Sequence, residues 1–246
     1  MSTRAPDPDT DLFDLYDEYC HGDMKRREFL ERAAVVAAAA GLAGCGRSPE
    51  SLLPDYTKVV TVAFTDPRIK ARYVDYESPG GNGPMRGYLV TPTEEAGKRG
   101  AVLVVHENRG LNPYVKDVAR RVAVEGFIAL APDALAPLGG YPGNDDDGKV
   151  MQRTLDRDKI HVDMLNGAKT LLAHEDCNGR LGVTGFCFGG EVSNRLAVTM
   201  GDALQAAAPF YGRPPDLDRV GEIRARLVVH YAEDDPRVNE HKDAYE

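Results

Sequence analysis

The residues best suited to chemistry are Gly185-Phe186-Cys187-Phe188-Gly189-Gly190, which lie between a strand-like and a helix-like stretch. Glycines on either side of one nucleophilic side chain mark a strand that turns into a helix so sharply that larger side chains would collide. Here the nucleophile position holds cysteine. A thiol at a helix N-terminus is favoured as thiolate by the partial positive charge there, and the N–H of Phe188 can point at a developing oxyanion. The chemistry this suits is attack on an acyl carbon through a covalent intermediate. The competing reading is a small apolar cysteine in a tight turn. The strand–helix junction favours the chemical one.

Two further clusters could serve the same reaction. His106-Glu107-Asn108-Arg109-Gly110 follows an apolar strand, and Glu107 there needs a partner or a role in a cleft. Otherwise the cluster is a capping loop with solvated charges. Tyr231 to Asn239 is a strand ending in acids, where the acid of a nucleophile–acid–histidine order belongs, and chemistry alone does not separate Asp234 from Asp235. The histidines show no metal-ligand spacing, so neither metal nor cofactor is implied. Cys177 and Cys187 flank a strand that would hold them roughly 20 Å or more apart, so Cys187 is expected as a free thiol and redox chemistry is disfavoured.

The elements that must position these residues alternate. Strands are expected over Lys58–Phe64, Arg72–Glu77 and Met85–Thr91, with a turn-rich Ser78–Pro84 between the last two. Ala101–His106 is continuously apolar, as in a strand covered on both faces. Asn112-Pro113 caps a helix that ends at Gly126. The remaining expectations are a strand at Phe127–Ala131, a polar loop Pro132–Gly148 with Asp145–Asp147 as a solvated turn, and a long helix over Lys149–Ala173. A strand at Arg180–Gly185, a helix at Phe188–Met200, strands at Ala206–Phe210 and Leu227–Tyr231 and a helix from about Arg237 complete the set. This is an α/β domain with a mainly parallel sheet, antiparallel strands at its start and helices on both faces.

The body resembles the dienelactone hydrolase family of α/β hydrolases, over roughly Leu89 to Glu246. The resemblance is most specific at HENRG (106–110), GFCFGG (185–190) and YAEDDPRVN (231–239). It implies a Cys-His-Asp hydrolase of lactones and activated esters, with Cys187 as nucleophile and Asp235 as triad acid. By the same resemblance Glu107 partners the resting thiol, and the N–H groups of Asn108 and Phe188 form the oxyanion hole. Two features depart from the family. The only histidine after the acid is His241, expected on a helix and facing solvent. The chain is therefore expected to lack its C-terminal strand, histidine loop and helix. The loop after Ala131-Pro132-Asp133 also carries no basic residue to meet a substrate carboxylate; Arg109 is the candidate substrate contact. The rival from another class is a catalytically degenerate binding protein on the same fold.

The chain has 246 residues, 42% hydrophobic and 28% charged, with net charge −9. That balance disfavours a nucleic-acid binder, and no apolar run approaches the ~20 residues that span a bilayer. Residues 1–45 differ from the rest. Arg26-Arg27-Glu28-Phe29-Leu30 precedes the uncharged, alanine-rich Ala33–Ala43, which resembles a twin-arginine export signal. Leu42-Ala43-Gly44-Cys45 resembles a lipobox, so Cys45 is the candidate for lipidation or nearby cleavage. The alternative is an amphipathic helix packed on the domain. Residues 46–56 read as a linker and 57–246 as the hydrolase domain. The expected partners are a small ester or lactone, the twin-arginine translocation machinery and, through a lipid anchor only, the membrane. The expected location is periplasmic or cell-surface.

Overall fold

The computed structural model describes residue 12, 15, 16, 18–20, 22, 24–39, 60–94 and 97–246. Cys45 and the linker 46–56 lie outside the described residues, as do His21 and Lys58. The chain divides into two compact units, Met1–Lys58 and Val59–Glu246.

In the first unit, α1 (Arg26–Ala39) is preceded by described positions between Leu12 and Cys20 that are also helical. Leu15, Tyr19, Met24, Phe29 and Ala33 form a small buried cluster. The Tyr19 and Phe29 rings stack at 4.9 Å, and Arg32 pairs with Glu18 at 3.0 Å. Arg26 and Arg27 are exposed at the start of α1. No helix among the described residues is long and apolar enough to cross a membrane.

The second unit is built on a seven-stranded sheet in the order β1-β2-β4-β3-β5-β6-β7. The strands are β1 (Ile69–Tyr76), β2 (Met85–Pro92), β3 (Arg99–Val105), β4 (Ile128–Asp133), β5 (Cys177–Phe186), β6 (Ala206–Phe210) and β7 (Arg226–Leu227). β1, β2 and β4 pair antiparallel, and every pair from β4 to β7 is parallel. Helices α2 (Pro113–Val124), α3 (Asp145–Arg153), α4 (Arg157–Leu172) and α5 (Phe188–Thr199) follow the parallel strands, and α6 (Pro236–Asn239) and α7 (Lys242–Tyr245) follow β7.

Alternation along the central strands explains why both faces are covered. Leu103, Val105, Ile128 and Leu130 turn towards Ile160, Met164, Val192 and Leu196 of α4 and α5. Val104, Ala129 and Ala131 turn the other way, towards Val115, Val118 and Ala123 of α2. Asn112 caps α2 as expected, accepting from the N–H of Val115 at 3.1 Å.

Four expectations are corrected. The described part of Lys58–Phe64 is not a strand, because its backbone groups are satisfied by side chains of α2. Asp117 accepts from the N–H of Thr61 and Val62, and Arg120 donates to the carbonyl of Val62. Asp145–Asp147 is the acidic first turn of α3, capped by Asn144 and favoured by the helix dipole. The single long helix is two, broken where Asp156 leaves the ladder to cap α4. Leu227–Tyr231 is regular only at Arg226–Leu227 and continues beside β6 through a lone bridge from His230 to Phe210.

Candidate active site

Val105 is level with Gly185 across β3 and β5, and Phe186 with Phe210 across β5 and β6. The residues just past these strands, Glu107, Cys187 and Tyr211, therefore emerge at one edge of the sheet. That edge, outside the carboxyl ends of parallel strands, is where open α/β sheets place their ligands.

Cys187 turns the chain from β5 into α5 with φ 52° and ψ −110°. A non-glycine residue held at positive φ costs on the order of 1–3 kcal/mol. Its N–H donates to Phe210 at 3.0 Å, and its carbonyl accepts from Glu191 at 3.1 Å. Glycines at 185 and 189 let backbones meet. A Cβ on Gly185 would strike the backbone of Gly189, and one on Gly189 would strike the carbonyls of Val105 and His106. Cys187 is half-buried, and among the described residues neither it nor Cys177, at the far end of β5, is in a disulfide. The amide of Phe188 lies in the first turn of α5, where N–H groups have no intrahelical acceptor.

Glu107 follows β3, and burial pushes its carboxyl above the ordinary carboxylate range, with Asp145 adding to this. Arg109 and a hydrogen bond from Tyr211 act in the opposite direction. The Tyr211 hydroxyl donates to Oε1 of Glu107 at 3.0 Å. His106 is fully buried and fixed at both nitrogens, with Nε2 accepting from the N–H of Ala134 at 3.0 Å and Nδ1 against the carbonyl of Glu107. Burial holds its pKa down. It therefore anchors the Glu107 peptide to the end of β4.

Asn108 is half-buried on the same loop. Arg109 is buried, 3.7 Å from Asp145 of α3, and the Tyr141 hydroxyl donates to that carboxylate at 2.9 Å. Gly110 donates to Oε1 of Gln152 in α3. The loop that carries Glu107 and Asn108 is thus clamped by α3.

The structure separates the two candidate acids. Asp234 is exposed, whereas the Asp235 carboxylate is mostly covered at the start of α6. Its Oδ1 is buried with no hydrogen-bond donor among the described residues and lies 3.5 Å from the Arg237 guanidinium. His161 lies against the Phe188 ring and 3.5 Å from Glu191. His230 stacks on Phe210 at 4.0 Å. His174 accepts from the N–H of Asp176, and His241 is half-exposed beside Glu240. Among the described residues no cluster of three or more His, Cys, Asp or Glu side chains is placed to hold a metal ion.

Two participants were missed in the sequence. Tyr211 reads as the residue after a short strand, and its only signal is an aromatic followed by glycine at a parallel strand's carboxyl end. Asp145 was hidden in an acidic run that also fits a solvated turn.

Comparison with known proteins bears on this arrangement. The model of the dienelactone hydrolase family matches residues 85–245, and that of a YqhI-like family matches residues 2–38. The chain is 60% identical over 105 residues to the hydrolase fragment YghX of Escherichia coli (strain K12), which covers 43% of this chain and 90% of that one. It is 34% identical over 165 residues to a carboxymethylenebutenolidase-like protein of Aquifex aeolicus (strain VF5), with 63% of this chain and 68% of the relative covered. A solved dienelactone hydrolase-like promiscuous phosphotriesterase from metagenomic libraries superposes with TM-score 0.61 at 29% identity, over 72% of this chain and 74% of that one. The dienelactone hydrolase of Anabaena variabilis superposes with TM-score 0.56 at 20% identity, over 72% and 80%, a likeness of fold alone.

Proposed function

The chain belongs to the dienelactone hydrolase family, and we propose that it is an exported hydrolase of esters or lactones that uses Cys187 as its nucleophile. The observation that carries this is the positive-φ turn at Cys187, on the sheet edge it shares with Glu107. In this reading the thiol proton passes to the Glu107 carboxylate and Sγ bonds to the acyl carbon. The amides of Asn108 and Phe188 hold the oxyanion. Collapse expels the alcohol, which takes up a proton, and leaves an acyl thioester. Water then cleaves the thioester, releasing the acid and the free thiol. Asp235 is the triad acid. Its buried Oδ1, without a hydrogen-bond donor among the described residues, suits an imidazole N–H.

A second reading, a binding protein that retains the cleft without turnover, is favoured by Asp235, which among the described residues lies against Arg237 and not against an imidazole. One experiment separates the two. The protein is incubated with p-nitrophenyl acetate, nitrophenolate release is followed, and the Cys187 peptide is weighed. Release with acetylation at Cys187, both abolished in Cys187→Ala, supports the hydrolase. Absence of both in a folded protein supports the binding reading.

Export rests on the exposed Arg26-Arg27 pair ahead of the alanine-rich segment, and the partner would be the twin-arginine machinery, with lipid attachment at Cys45. Replacing both arginines by lysine should leave the protein in the cytoplasmic fraction. An unchanged distribution would remove the export reading.

A further inference from the structure

Among the described residues, Cys187 and Tyr211 are the two non-glycine residues with positive φ. They are neighbours by construction. Cys187 follows Phe186 of β5, Tyr211 follows Phe210 of β6, and those two phenylalanines are in register. The turn at Cys187 has a role in the proposed reaction. The turn at Tyr211, with φ 38°, has had none.

What holds Tyr211 in this conformation is local. Its N–H donates to the carbonyl of His230 at 2.7 Å. Directly after it, Gly212 passes so close to Gly190 in α5 that a Cβ on either would strike the other's backbone. The chain leaving β6 is therefore pressed against the first turn of the nucleophile helix, and the phenol is thrown sideways across the sheet edge.

The direction matters. β5 lies between β3 and β6, so the ends of β3 and β6 are about 10 Å apart. The phenol nevertheless reaches Glu107 at the end of β3, 3.0 Å from Oε1. The bond thus crosses the end of the strand that leads into Cys187, and the thiol is near enough to the Tyr211 phenol to act on it.

We infer that Tyr211 is a positioning residue for the reaction: its hydroxyl holds Oε1 of Glu107 across the end of β5, so that the carboxylate is kept as an acceptor facing the Cys187 thiol. This rests on the reading of Cys187 as nucleophile and Glu107 as its partner. Burial, Glu107, Cys187 and Tyr114 all push the Tyr211 phenol up, so it stays protonated and remains the donor. The charged or titratable groups that act on the Glu107 carboxyl are Arg109 on its own loop, Asp145 of α3, and Tyr211. Of the influences on its carboxyl, burial is the largest and raises the pKa, and the Tyr211 bond opposes it. Without that bond Glu107 would hold its proton to higher pH and could not accept one from the thiol.

The test is the rate of Cys187 alkylation by iodoacetamide between pH 4 and pH 9, read on the Cys187 peptide of the full chain. The wild type should lose rate on an acid limb set by Glu107, and Tyr211→Phe should move that limb up by about one pH unit, roughly tenfold in rate on the limb. Tyr211→Met, which also removes the ring, should move it in the same direction. In a Glu107→Gln background the remaining pH dependence should be that of the thiol alone, and adding Tyr211→Phe should change nothing. An unmoved limb in both Tyr211 variants overturns the inference. So does a shift that survives in Glu107→Gln. Alkylation reads the thiol without turnover, so missing ester hydrolysis would strike the proposed function and not this role of Tyr211.

Discussion

Alanine at Gly189 is the sharpest perturbation of the elbow. A Cβ there would stand 2.7 Å from the carbonyl oxygen of His106 and closer still to that of Val105, both of them backbone. Real Cβ contacts under 3.0 Å are essentially unknown, and neither oxygen can swing away as a flexible side chain would. Relief needs α5 to move from the end of β3 by roughly 0.7 Å or more, to open the 2.3 Å approach to the Val105 oxygen beyond 3.0 Å, in a region packed at crystal-like density. Overpacking of this kind costs about 1–3 kcal/mol. The same movement separates Cys187 and the Phe188 amide from Glu107 and Asn108, and a misplacement approaching 1 Å costs about a hundredfold in rate. Gly189→Ala should therefore lose about 2 kcal/mol in urea unfolding and about a hundredfold in kcat/KM on p-nitrophenyl acetate. Gly221→Ala is the control, because a Cβ there meets nothing within 4 Å. It should stay within about 0.5 kcal/mol of wild type. A Gly189→Ala protein with wild-type stability and activity would refute the argument that the elbow depends on backbone contact there.

Two other outcomes follow from buried polar groups. His106 has its pKa held down by burial, so between its folded value and about 6.5 the unfolded chain carries a proton that the folded chain does not. Stability contributed by neutral His106 is complete above about pH 6.5 and declines below it, by at most about 1.4 kcal/mol per pH unit. Unfolding measured from pH 7.5 to pH 5 should show this slope, and His106→Asn should flatten it; equal slopes would count against the assignment. Asp163 is fully buried and accepts from the Ser78 hydroxyl, the Asn82 N–H and the Asn82 amide. Asp163→Ala leaves those donors without their acceptor and should cost about 2–4 kcal/mol, with faster amide exchange at Asn82. A loss under about 0.5 kcal/mol would show that the loop between β1 and β2 does not depend on it.

What the sequence determined alone was whatever depends on neighbours along the chain. The continuous apolar run at Ala101–His106, the Asn112-Pro113 cap and the glycines around Cys187 each carry a local physical demand, and all three appear where that demand placed them. The order of elements was likewise enough for the α/β class, since alternating strand and helix leaves few topologies open. Tertiary structure decided where a group's partner is remote. Thr61 and Val62 look like strand residues, yet their N–H groups go to Asp117, 56 and 55 positions away. Asp145 looks like part of a solvated acidic turn, yet it meets the buried Arg109. Asp234 and Asp235 are chemically the same, and only packing at α6 exposes one and covers the other. Tyr211 and Glu107 are 104 positions apart, and no pattern of adjacent residues encodes a bond made across two strand spacings.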